Sequence, residues 1–225
     1  MILVGEGVRI HVRKVATIIT VILLEEFNDA EFGTKLTWHS EPKTWRINAE
    51  DSTLDIKTDD QTDFWQKTHY GFQADNGHFL YHEVSGDFRL TTKVKSKPVN
   101  RYDQAGLMVR FSSETWLKTS VEFIPDGKSK LGVVATNQGY SDWSSQEFSE
   151  GGATLFYRIT RRNTNYYVDY SLDGTSWSQI RMTHLVETGK TMKVGIYACS
   201  PQGEGSEAAF DFIKVEKIDR ETKVY

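Results

Sequence analysis

The residues best placed to do chemistry lie at alternate positions between Tyr102 and Ile124. In YDQAGLMVRFSSETWLKTSVEFI, Gln104, Gly106, Met108 and Arg110 fall on one face of an extended chain. Trp116, Lys118, Ser120 and Glu122 fall on the matching face of the next run. Ala105, Leu107, Val109 and Phe111, then Leu117, Thr119, Val121 and Phe123, occupy the opposite face. This alternation is the mark of strands with one buried side. The other side offers an amide, two cations, a hydroxyl, a carboxylate and an indole, a set that suits a polar ligand. Thr154–Arg161 adds Phe156 and Arg158 opposite Leu155, Tyr157 and Ile159. If these strands are neighbours, Gln104, Arg110, Lys118, Glu122 and Arg158 converge as three cations and one carboxylate, a face that favours acidic or phosphorylated sugars. The competing reading is a solvated face laced with cross-strand ion pairs.

Two further clusters mix aromatic and hydrogen-bonding side chains. Asp63–Phe72 (DFWQKTHYGF) contains Asp63, Trp65, Gln66 and Tyr70. Asn137–Ser144 (NQGYSDWS) contains Asn137, Tyr140 and Trp143 and reads as a loop at a groove edge. Aromatic lining with a few placed polar groups is the usual make-up of a ligand site. The alternatives are core aromatics on an irregular strand and an aromatic-anchored surface loop.

Support for catalysis is thinner. Glycoside hydrolysis takes two carboxylates at a set separation, and no Glu-X-Asp-X-Glu run is present. Glu122 stands alone on its strand, with Asp63, Asp103 or Asp142 as loop-borne partners that spacing does not rank. A neighbouring Lys118 or Arg110 is expected to hold Glu122 ionised, against a general-acid role. His78 and His82 share a face in NGHFLYH but lack a clear third ligand, so no metal is expected. Phosphate-cradling glycine loops, nucleotide motifs, Gly-X-Ser-X-Gly and His-Glu-X-X-His are absent. No cofactor is expected.

The elements that must position these groups are short strands. Runs at Trp45–Ala49, Thr53–Thr58, Phe88–Lys95, Leu131–Asn137, Tyr166–Leu172, Trp177–Met182, Met192–Cys199 and Ala208–Lys217 join those above. Turn signals at Asn76-Gly77, Asp126-Gly127 and Asp173-Gly174 separate them. So many short strands bury their apolar faces only in two stacked sheets or a closed barrel. The length of 225 residues favours an all-β, two-sheet antiparallel β-sandwich, a jelly roll, in one domain over residues 24–218. Residues 219–225 form a C-terminal tail, and residues 1–23 an extension.

In that extension Val15–Leu24 is an apolar run behind Arg9, His11, Arg13 and Lys14. It is too short for a bilayer span of about 20 residues. Its Val, Ile and Thr content suits an added strand. A signal peptide is the alternative, against which Glu6 and Glu25-Glu26 stand. The 27 basic and 31 acidic residues are well mixed, which argues against nucleic acid as a partner. No membrane association is expected either. Cys199 is the single cysteine, in the apolar run VGIYACS, and reads as a buried structural thiol. With no intrachain disulfide to form, a cytoplasmic location is expected, or secretion if residues 1–24 act as a signal.

The succession TDFWQKTHYGF, DNGHFLY, YDQAGLMVR, WLKTSVEF, VVATNQGYSDWS and GIYACSPQG resembles the regulation-of-enolase protein family of fungi and bacteria over about Leu24 to Ile218. The resemblance implies a concanavalin A-like lectin/glucanase sandwich. Family-like residues stand at Asp63, Trp65, Gln66, Tyr70, Asp103, Gln104, Lys118, Glu122, Asn137, Tyr140 and Trp143. It supplies no catalytic residues. Three functions are therefore expected, in this order. The first is a non-catalytic domain that binds a carbohydrate, a phosphorylated sugar or a similar polar metabolite. The second is a protein-interaction module acting on a metabolic enzyme. The third is a glycoside hydrolase or polysaccharide lyase using Glu122. Fold analogy alone does not choose among them.

Overall fold

The computed structural model describes residues 20–149, 152–186 and 189–224, and these form seventeen β-strands. One sheet, the back sheet, runs in the order β15 (Ser178–His184), β14 (Asn165–Ser171), β13 (Thr154–Arg162), β8 (Phe88–Lys97), β17 (Glu207–Lys217), β4 (Thr53–Lys57), β3 (Thr44–Asn48). Its extra strand, β1 (Thr20–Glu25), pairs with the second half of β17. The front sheet runs β12 (Tyr140–Phe148), β11 (Ser129–Asn137), β10 (Thr115–Glu122), β9 (Gln104–Ser112), β16 (Thr191–Cys199), β7 (His78–Ser85), β2 (Thr37–His39). All strand pairings within both sheets are antiparallel. No helix among the described residues is long and apolar enough to cross a membrane.

The expected alternation is what closes the sandwich. Leu107, Val109, Leu117 and Leu131 of the front sheet meet Leu90, Val94, Leu155, Ile159 and Phe210 of the back sheet in one buried cluster. Tyr157 crosses between the layers, and its hydroxyl accepts a 2.9 Å hydrogen bond from the Val121 N–H. The end of the apolar run, Thr20–Leu24, lies in strand β1. The rest of the run, and the basic residues before it, lie outside the described residues.

One expectation is corrected. Asn137–Ser144 is not a loop: β12 starts at Tyr140, and the connection shrinks to Gln138-Gly139, with φ of 53° and 74°. Two consecutive left-handed residues make the tight hairpin turn that matches strand twist. As an edge strand, β12 is largely exposed and carries no apolar alternation to betray it.

A third, small sheet positions the site. β5 (Phe64–Gln66) and β6 (Gln73–Asp75) form a hairpin. Phe64 is fully buried, among Phe79, Met108, Trp116, Val134 and Tyr197 on the outer face of the front sheet. A Cβ at Gly77 would stand 2.4 Å from the Phe64 ring, so only glycine leaves room for this packing.

Removing the Tyr157 oxygen alone takes away the hydrogen bond that ties Val121 to the back sheet. Tyr157→Phe is expected to lower unfolding free energy by about 0.5–1.5 kcal/mol in a urea titration. An unchanged midpoint would contradict the cross-layer bond.

Candidate functional site

The β5–β6 hairpin lies across the polar face that the alternation of β9 and β10 creates, and it brings counter-charges with it. Lys118 is fully buried between the rings of Trp116 and Tyr197, and its Nζ donates to Asp63 Oδ1 at 3.0 Å. Burial pulls the Lys118 pKa down, but the acidic groups around it, Asp63 first and then Cys199 and Glu122, together outweigh it and leave the ammonium above its usual value. Arg110, also buried, makes a bidentate pair with Asp75 at 2.6 and 2.7 Å, and its guanidinium lies over the Phe64 ring. Ser141 Oγ accepts from the Gln66 N–H at 2.9 Å, tying the hairpin to β12.

This arrangement overturns the expected cationic face. Arg110 and Lys118 are neutralised by Asp75 and Asp63. Arg158 lies on the outer face of the back sheet, held by Asp169 at 3.0 Å with its guanidinium 4.1 Å from the Trp177 ring centroid. Alternation tells which side of a strand Arg158 occupies, not which sheet the strand joins.

Beside the clamp, Tyr197 Oη lies 2.8 Å from Ser120 Oγ and 3.0 Å from Gln104 Oε1. The Gln104 amide donates to the Tyr102 carbonyl. Cys199 Sγ sits 3.8 Å from Asp63 Oδ1, and burial pushes its thiol well above the usual value, leaving an inert structural group.

Glu122 closes the row at the end of β10. It faces Gln104 across β9 and Lys130 across β11, and its carboxylate has no hydrogen-bond partner among the described residues. Burial pushes its pKa up to about 7, against the pull of Lys118 and with the repulsion of Asp63. The expectation that Lys118 keeps Glu122 ionised is therefore corrected: Lys118 does pull the carboxyl down, but desolvation outweighs it.

Next to this row lies a hollow of about 650 Å³ between the hairpin and the 201–203 loop. Asp60, Gln61, Asp63, Phe72, Gln73, Ala74, Asp75, Asn76, Pro201, Gln202 and Gly203 line it. Thr62 and Ser200 fix the gap by exchanging hydrogen bonds: Thr62 N–H donates to the Ser200 carbonyl, and Ser200 N–H to Thr62 Oγ1. Carboxylates and amides dominate the lining and Phe72 is half-exposed. Asp60, Gln61, Gln73, Asn76 and Gln202 escaped the sequence reading. The density of Asp, Asn and Gln in TDDQTD and QADNG was the available signal.

The other sequence candidates separate. Trp143 lies over Gly132, whose added Cβ would fall 2.3 Å from the ring, and so borders the Glu122 row. Trp65, Gln66, Tyr70 and Tyr140 gather instead near the opposite end of β10. Tyr70 and Tyr140 are strongly exposed there, with Lys67 5.4 Å from the Tyr140 ring centroid. Trp65 Nε1 donates to the Thr68 carbonyl. Asn137 clamps residues 184–186 through the His184 carbonyl and the Val186 N–H. Asp103 organises its own loop, accepting from the Val99 and Asn100 N–H groups at 2.7 Å. His78 faces the interior, with Nδ1 at the Ser40 carbonyl and Nε2 accepting from the Asp59 N–H, and burial lowers its pKa. Among the described residues no group of three His, Cys, Asp or Glu side chains could hold a metal.

The raised pKa makes Glu122 a pH-dependent liability. Between the ordinary 4.5 and about 7 the folded state keeps a proton that the unfolded chain has released. Its stabilising contribution is thus complete below pH 4.5 and lost as pH rises through 7. Glu122→Gln should gain stability over the native chain progressively from pH 5 to 8, to a limit on the order of 3 kcal/mol. A difference that stays constant with pH, measured by denaturant melts, would contradict the assignment.

The comparisons with known proteins fit this architecture. The family DUF1349, described as proteins of unknown function, matches residues 38–218. Regulation of enolase protein 1 of Saccharomyces cerevisiae is 35% identical over 174 residues, covering 77% of this chain and 85% of that protein. A crystal structure of a functionally unknown S. cerevisiae protein superposes with a TM-score of 0.75 at 33% identity, over 82% of this chain and 97% of that one. The GH43 protein BlXynB of Bacillus licheniformis shares the fold, with a TM-score of 0.70 at 19% identity over 87% of this chain, which spans 39% of that one. A putative beta-xylosidase of Escherichia coli is 22% identical over 58% of this chain, which spans 27% of that protein. The chain therefore belongs to the DUF1349 family, the regulation-of-enolase family that its motifs resemble.

Proposed function

We propose that this domain binds a neutral, hydroxyl-rich carbohydrate in the hollow between the β5–β6 hairpin and the 201–203 loop, without transforming it. One observation carries the reading: the hollow is walled by carboxylates and amides beside Phe72, while the neighbouring cations are already paired. Sugar hydroxyls take amide and carboxylate partners, and a half-exposed ring offers a face for the apolar side of a pyranose. Acidic and phosphorylated sugars, favoured by the sequence alone, would meet the carboxylates of Asp60, Asp63 and Asp75, with Lys118 and Arg110 already paired to the last two. The single buried cysteine suits a cytoplasmic setting.

A second reading keeps the domain as a module that modulates a metabolic enzyme. It is supported by the name of the yeast relative, which speaks of enolase regulation. A third makes Glu122 a general acid, for which a carboxyl poised near neutral pH is suited.

A thermal-shift screen against neutral, acidic and phosphorylated saccharides, xylo-oligosaccharides included, separates these. Neutral sugars should raise the melting temperature by mass action. Gln73→Ala and Gln202→Ala should each weaken binding roughly tenfold, about 1.4 kcal/mol. A shift with phosphorylated sugars alone, or none at all, would overturn the proposal. Hydrolysis of a bound sugar that stops in Glu122→Gln would establish the enzyme instead.

A further inference from the structure

The outer face of the back sheet, on the far side of the molecule, carries a second hollow of about 660 Å³ over β3, β4, β17 and β8. Its rim is basic, with Arg46, Lys57, Lys95 and Lys97. Two of its carboxylates are taken: Asp55 pairs with Arg46 at 3.2 Å, and Glu207 with Lys97 at 3.3 Å. Asp51, the third, accepts from Asn48 Nδ2.

Lys57 and Lys95 are left without an ion-pair partner among the described residues, and both are exposed. The register explains why. Lys57 stands across from Glu207, whose carboxylate bonds Lys97 on the other side. Lys95 stands between Ala209 and Thr154, both uncharged, and between Lys93 and Lys97 along its own strand. Lys93 is itself paired with Asp211 and Lys97 with Glu207, which leaves Lys95 as the unpaired cation of this row among the described residues. The chain as a whole is acidic, with a net charge of −4, so this rim is a local reversal of sign.

The hollow also limits the kind of anion. Its one aromatic wall residue, Trp45, has its ring stacked on Phe32 at 5.4 Å and against Trp38 at 5.6 Å. No free ring face is offered to a nucleobase or a pyranose, on which single-stranded nucleic acids and sugars depend. β3, along one side, is the end strand of its sheet, so its outer backbone edge has no strand partner among the described residues. Such an edge pairs with extended polypeptide.

We propose that this hollow seats an extended, carboxylate-rich peptide segment of a partner protein, with Lys57 and Lys95 receiving its carboxylates. The site is independent of the sugar hollow and stands or falls separately.

The test uses the full chain and a fluorescein-labelled decapeptide of alternating Glu and Gly, followed by anisotropy. Binding should appear at low salt and weaken steeply as salt rises. The Gln-Gly analogue should not bind. The double variant Lys57→Glu/Lys95→Glu should lose at least roughly tenfold in affinity, while Lys190→Glu, at an exposed site elsewhere, keeps it. Both lysines are exposed, and an unchanged melting temperature of the double variant verifies its fold. Native-like binding by the double variant, absence of binding to the acidic peptide, or tighter binding of polygalacturonate or a single-stranded oligonucleotide would each overturn the proposal.

Discussion

The buried ammonium of Lys118 is the constraint on which the rest of the front face depends. An unpaired charge in such a setting costs several kcal/mol. The fold meets that cost by laying the β5–β6 hairpin over the sheet, so that Asp63 reaches Lys118 and Asp75 reaches Arg110. Phe64 and Gly77 then make the docking apolar as well as ionic. What would have been an open, basic sheet face becomes a plugged one with a narrower polar opening at its end.

That opening inherits its chemistry from the clamp. Burial outweighs the pull of Lys118 on Glu122, and the Asp63 carboxylate adds repulsion, so Glu122 holds its proton to near neutrality. Because Asp63 and Asp75 also face outward into the hollow, they give it carboxylate walls without free cations. The proposed preference for neutral, hydroxyl-bearing ligands rests on this, as does the contrast with the basic hollow on the back sheet. The two faces of one sandwich thus present opposite chemistry, each set by which charges the register leaves paired.

Much of the fold was legible because half-buried strands must alternate. β9, β13 and β16 announce themselves through apolar residues at every second position; in β8 and β10 Thr92 and Thr119 each take one such place, and a bulge between Phe210 and Phe212 shifts the row in β17. β12 did not, because an exposed edge strand has no apolar face to repeat. The site was legible only in part. Alternation assigned Lys118 and Glu122 to one face correctly, since that is a local property of a single strand. It could not supply their partners, because Lys118 meets a residue 55 positions away and Arg110 one 35 positions away. Nor could it reveal that Arg158 belongs to the other sheet. Sign and solvation at the site are tertiary properties, and the reading that Lys118 would ionise Glu122 failed for that reason.

The central claim, that the Lys118–Asp63 pair locks the hairpin onto the sheet, is most directly tested by a double-mutant cycle of unfolding free energies with Lys118→Met and Asp63→Leu. Asp63→Leu strands the buried Lys118 ammonium and is predicted to cost about 3–5 kcal/mol, Lys118→Met leaves the partly exposed Asp63 carboxylate unpaired and costs less, and the double variant loses less than the sum. Additive losses, or single variants that melt like the native chain, would contradict the account.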